Sequence, residues 1–144
     1  MLTSRSMPEQ TMVPVLAYAD VEEAVEALCD AFGFVVRWRA GGHRAQLATG
    51  PGAAVAVAQG QRPVDPGGDH VMVRVEDVDG HCDRARAHGA TVVSEPADMP
   101  YGERQYTVRD FSGRTWVFSQ TIADVAPEDW GGVSGPALAT TPGN

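Results

Sequence analysis

The residues able to do chemistry in this chain are few and widely spread. Four histidines, two cysteines and 19 acidic residues are distributed over 144 positions that contain no Lys at all. His81 and His88 stand seven apart, so on a helix they share a face, and a solvated helix surface is the simplest reading of that pair. Cys29 and Cys82 sit among apolar neighbours, as reduced packing thiols do. Gly50-Pro51-Gly52 and Gly131-Gly132 lack the Lys and the helical pattern of a phosphate loop. There is no Gly-x-Ser-x-Gly elbow and no His-Glu-x-x-His pair, and Ser94-Glu95 has no histidine partner by motif. Asp20 and Asp77 each precede a helical apolar pattern, which makes them helix caps.

The elements that position these residues come in two copies. Val15 to Val21 and Met72 to Val78 are one unit repeated 57 positions apart, an alternating apolar strand that ends on Asp-Val and opens a helix. Val21, Val25, Leu28 and Phe32 follow at helical spacing in the first copy, and Val78, Cys82 and Ala85 in the second. Both helices stop at a glycine, Gly33 and Gly89, ahead of the β-branched runs Val35-Val36 and Thr91-Val92-Val93. Three strand-like segments complete each copy, at 34–40, 44–49 and 53–59, then at 91–95, 103–109 and 115–121. The reading is therefore two β-α-β-β-β modules, at 12–60 and 69–121, separated by a polar linker at 61–68. A Pro/Gly-rich tail fills 122–144; within it 133–144 reads as disordered or loosely held, and Pro127 to Trp130 as a short turn whose indole docks on the second module or on a neighbouring chain.

Composition narrows the function. With 43% hydrophobic residues the chain can bury a core, and its formal charge of −8, with no clustered Arg, argues against a nucleic-acid partner. A negative field favours solubility and attracts cationic small molecules. Residues 1–10 lack the apolar core of a signal peptide, and no run approaches the roughly 18 apolar residues of a membrane span. The expectation is a cytoplasmic protein with no membrane partner.

The repeat, its strand-to-Asp openings and the run Tyr101-Gly-Glu-Arg-Gln-Tyr-Thr-Val-Arg-Asp110-Phe-Ser-Gly113-Arg-Thr-Trp-Val-Phe118 together resemble the vicinal oxygen chelate superfamily of glyoxalase I, extradiol dioxygenases and bleomycin-resistance proteins. The resemblance covers about residues 12–121 and is most specific from Gly102 and Arg104 to Asp110 and Gly113, where Phe111 replaces the common proline. It implies an α+β fold in which two βαβββ modules form curled mixed sheets with helices on the outer face. It also implies a cup on those sheets and a homodimer built around two cups.

Enzymatic members of that superfamily hold a divalent metal on each module's first and last strands. The position on the first strand of the second module is His70, but its counterpart in the first module is Val13. Residues 45–64 contain no Asp, Glu, His or Cys, and the acidic position of the last strand is Val117. Since such a site needs about three or four donors, the expectation is a cup with no metal and no cofactor, the exception being an unusual site that recruits Gln46, Glu103 or a partner chain's His43. By alternation His70, Met72 and Arg74 face the cup while Val71, Val73 and Val75 face the helix; Trp116 and Phe118 share a strand face opposite Val117, and the resemblance implies that this face is core. Parity leaves Trp38 and Tyr106 open, to core or cavity, and Tyr101 begins a loop at the rim.

The residues expected to bind a ligand are accordingly Trp38, Gln46, His70, Met72, Arg74, Tyr101, Arg104 and Tyr106. The favoured function is binding and sequestration, without conversion, of a small aromatic or cationic molecule such as an antibiotic, in a metal-free cup at a dimer interface. The alternative is a glyoxalase- or dioxygenase-like enzyme, working through an unconventional metal site or with His70 as general base and Arg104 or Tyr106 polarising a carbonyl. A third reading is an interaction domain whose cup has lost its ligand.

Overall fold

The computed structural model describes residues 2–61 and 68–138, so most of the expected linker and residues 139–144 of the tail lie outside the described residues. The first module runs β1 (Val15–Tyr18), α1 (Val21–Phe32), β2 (Val35–Ala40), β3 (Arg44–Gly50) and β4 (Ala53–Gln59). The second runs β5 (Val71–Arg74), α2 (Val78–Ala87), β6 (Thr91–Asp98), β7 (Glu103–Arg109) and β8 (Thr115–Thr121), followed by a 3-10 turn at Pro127–Trp130. The modules form two four-stranded sheets in the orders β1-β4-β3-β2 and β5-β8-β7-β6. In each, the first strand is parallel to the last because the helix carries the chain back across the sheet, and the remaining pairs are antiparallel hairpins. Strand β6 is longer than its sequence pattern suggested. It continues through Pro96 with two register shifts, since an edge strand needs no donor at every position.

Both helices start as their sequence dictates. The Asp20 carboxylate accepts the Glu23 amide at 3.0 Å, and Asp77 accepts that of Gly80 at 3.1 Å. Gly33, at φ 76°, ends α1 in the left-handed conformation open to glycine. The apolar stripe of α1 then packs on Leu47 and Val57, and that of α2 on Val73, Val108, Trp116 and Phe118.

These two packings merge into one core because the helices also touch each other. The Phe32 ring lies 5.5 Å from Trp116 and 4.9 Å from Phe118, and the Arg84 guanidinium donates to the Asp30 carbonyl at 3.0 Å. A second junction forms at the β7–β8 turn. The buried Asp110 carboxylate accepts from Tyr18 Oη at 2.7 Å, Trp116 Nε1 at 3.0 Å and the Ser112 amide at 2.9 Å. Arg114 donates to the Ala17 carbonyl at 2.8 Å and stacks 4.9 Å from the Tyr18 ring centroid. The Gly102 to Gly113 run therefore contributes to the structure by locking one module onto the other.

Candidate functional site

With the helices on one side of each sheet, strand parity decides what the opposite face carries. On the first sheet the N-terminal arm lies against that face and buries Gln46, Ala54 and Ala56, whereas among the described residues no helix or arm covers it on the second. On the second sheet Tyr106 and Val108 of β7 and Trp116 and Phe118 of β8 point to the core, so Glu103 and Gln105 of β7 and Val117 and Ser119 of β8 point the other way. Four polar groups there form a chain. Tyr101 Oη donates to Gln105 Oε1 at 2.9 Å, Gln105 Nε2 to Ser119 Oγ at 3.1 Å, and Ser119 Oγ to Glu103 Oε1 at 2.7 Å. Gln105 Nε2 also reaches the Met72 sulfur at 3.9 Å. Gln105 and Ser119 are buried, and a half-buried carboxylate ends the chain.

Aromatic surface borders this chain. The Trp130 indole meets the Tyr101 ring edge-on at 5.6 Å, so the tail closes over the rim of the second module. Within the tail the Ser134 amide and hydroxyl bind the Glu128 carboxylate, while Val133 stays 89% exposed. The open face thus offers a carboxylate, an amide, a hydroxyl, a thioether and two rings. That combination suits a flat cation, which a ring face and a carboxylate attract together while a thioether moulds to its apolar parts.

The structure separates the eight residues expected to bind. Met72, Arg74 and Tyr101 lie on the open face of the second sheet, where Met72 is 53% exposed and Arg74 donates to Thr121 Oγ1 at 2.9 Å. His70 stands at the module junction, exposed, where it borders a small cavity of about 80 Å³ with Leu16, Asp69 and Arg114. Trp38 and Gln46 are on the first sheet. A bulge after Val36 pairs Trp38 with Gln46 and so turns it to the face opposite the helix. The N-terminal arm engages both: Trp38 Nε1 donates to the Ser6 carbonyl at 3.0 Å, and Arg37 links Gln46 to the carbonyls of Arg5 and Met7.

Arg104 and Tyr106 do not face the cup. Arg104 pairs with Asp79 at the start of α2 and with Asp98 of β6, on the helix side. Tyr106 is 1% exposed and its hydroxyl meets His81 Nδ1 at 2.5 Å. The reason is alternation, since Val108 must be core and both residues share its parity. His81 likewise leaves the surface assigned to it. Its Nε2 donates to the Phe32 carbonyl at 2.9 Å, which makes Nδ1 the acceptor for Tyr106. Burial, reinforced by Arg84, holds its pKa below the ordinary 6.5. Burial also drives the Tyr106 phenol well above its usual range, so the pair stays neutral.

Residues missed from the sequence are Gln105 and Ser119. The signal was present in β8, where placing Trp116 and Phe118 in the core puts Ser119 on the opposite face.

A metal does not fit the donors at hand. The positions that the resemblance assigns to metal ligands hold Val13, His70 and Val117, and on the last strand of the first module the face away from the helix carries Ala54 and Ala56. Among the described residues no group of three or more His, Cys, Asp and Glu converges.

This architecture of paired βαβββ sheets defines a class, and the chain's sequence agrees with it. Residues 10–118 match the model of the glyoxalase/bleomycin resistance protein/dioxygenase superfamily, and the chain belongs to that superfamily. Among solved structures it is similar to TioX from Micromonospora sp. ML1, at 38% identity and a TM-score of 0.66 over 81% of this chain and 100% of that one. It is also similar to a glyoxalase/bleomycin resistance protein/dioxygenase from Nocardioides, at 25% identity and a TM-score of 0.62 over 88% and 91% of the two chains. The hypothetical protein SA1046 from S. aureus shares the fold at 20% identity, with a TM-score of 0.63 over 77% and 93%. No curated protein sequence matches the chain. No described helix is long and apolar enough to cross a membrane.

Proposed function

We propose that the protein binds a planar organic cation on the open face of the second sheet and releases it unchanged, as a sequestering protein of the antibiotic-resistance kind does. The observation that carries this is the hydrogen-bonded chain from Tyr101 through Gln105 and Ser119 to Glu103. Buried polar groups persist where they are satisfied, and this chain links a carboxylate through Ser119 and Gln105 to Met72 and to Tyr101, on which Trp130 packs. A second copy of the chain is the natural cover for the open face, which makes the working unit a homodimer.

Isothermal titration with planar dyes and aromatic antibiotics carrying a cationic group tests the reading. Binding is expected at about one or two molecules per dimer, weakening with added salt because the −8 charge aids capture. Glu103→Gln and Tyr101→Ala should each weaken it by about 1–2 kcal/mol. Mass spectrometry of the recovered ligand should return it intact. A chemically altered product formed with turnover would give the enzyme reading instead.

A further inference from the structure

A groove of about 670 Å³ runs between α1 and β2, on the helix side of the first sheet and away from the faces opposite the helices. It exists because the two modules differ. Helix α2 lies chiefly over its edge strand β6, whereas α1 packs across β3 and β4 and barely reaches β2. At its base lie Val21, Val25 and Phe34, themselves buried in the core, with the half-buried Val36 above them, and beside it β2 ends the sheet with Val35 66% exposed. Along the helix wall Glu22, Glu26 and Asp30 are exposed and stand four residues apart in one line. Among the described residues none of these three side chains has an ion-pair or hydrogen-bond partner, and neither does Arg39 or Arg44 at the hairpin end.

We infer that this groove docks an extended, basic C-terminal peptide segment as an added strand along β2. An edge strand offers unpaired backbone N–H and C=O groups to such a segment. Carboxylates four apart on a helix repeat about every 6 Å, and alternate side chains of a strand about every 6.6 Å, so basic residues at every second position meet the three carboxylates in turn. Their methylene stems pass over Val36 while their charged heads reach the helix wall. Arg39 and Arg44 would otherwise repel a basic segment, but at one end of the groove they meet its terminal carboxylate and fix its direction.

The chain carries its own reporter. Cys29 lines the groove and is half-buried, whereas Cys82 is 1% exposed, so a maleimide reads Cys29. Burial and the neighbouring Asp30 push the Cys29 thiol up, so labelling is run at mildly alkaline pH. The probe is acetyl-Val-Arg-Val-Arg-Val-Arg-Val with a free carboxylate, added to the full-length protein. Labelling of Cys29 should slow and the amides of 35–40 should gain hydrogen-exchange protection. The combined Glu22→Gln, Glu26→Gln, Asp30→Asn variant should bind about tenfold more weakly, the effect of losing three exposed ion pairs, and amidating the probe's carboxylate should also weaken it. Equal protection by the glutamate version of the peptide would overturn the proposal. So would unchanged labelling at millimolar probe, or full protection of 35–40 without any probe, the mark of β2 pairing with a second copy. None of these outcomes bears on ligand binding at the second sheet.

Discussion

At the scale of single residues, His81 is the most constrained titratable group. It joins the modules by donating to the Phe32 carbonyl, and it accepts from Tyr106 within its own module; the second bond requires the neutral ring. Because its folded pKa is depressed below 6.5, the unfolded chain binds the proton more readily. Its contribution to stability is complete above about 6.5 and is lost as pH falls from there through the depressed native value. Urea denaturation at pH 7.5 and pH 5 should show that loss, and His81→Phe should lower stability at pH 7.5 by about 1–3 kcal/mol while flattening the difference. An unchanged pH dependence in the variant would assign the effect to other groups.

At the scale of elements, the β6–β7 connection holds the rim of the proposed site. Gly102 turns there at φ 83°, and its carbonyl accepts the amides of Ile122 and Ala123, which starts the tail toward Tyr101. A Cβ at this position would lie 2.3 Å from the Ala123 carbonyl oxygen, against backbone that cannot swing aside. Gly102→Ala is therefore expected to cost about 2 kcal/mol or more and to free Trp130 from Tyr101. The second effect would appear as a red-shifted, more quenchable indole emission, best read with Trp38 and Trp116 replaced by Phe in the background. Melting and emission both unchanged would mean that the turn does not hold the tail.

At the scale of the whole molecule, two junctions make one body of the two modules, the Phe32 cluster between the helices and the Asp110 clamp at the β7–β8 turn. Asp110→Ala removes the acceptor for Tyr18, Trp116 and the turn amides together, so a loss of about 3 kcal/mol is expected, against about 1 kcal/mol for Tyr18→Phe. A loss below about 1 kcal/mol in the first variant would show the clamp to be incidental. Among the described residues the second sheet carries no helix or arm on its other face, and sedimentation equilibrium at micromolar concentration should find two chains per particle. A monomer under those conditions would leave the open face without its expected cover and would require the ligand site to be complete in one chain.

The sequence by itself determined the repeat and most element boundaries, because apolar periodicity and the Asp caps of each helix are local properties. Alternation showed that Trp116 and Phe118 share one face of β8 opposite Val117, and the family resemblance, borne out by the packing, made that face core. Tertiary structure alone decided the rest. Tyr106 follows the parity of Val108 once that residue is docked in the core, and Trp38 reaches the face opposite the helix only through a bulge that no local pattern marks. His81 looked like a surface histidine because its burial comes from Phe32 of the other module, 49 positions away. Contacts of that range are fixed only when two elements dock, and so the junction residues and the Tyr101 to Glu103 chain emerge from packing.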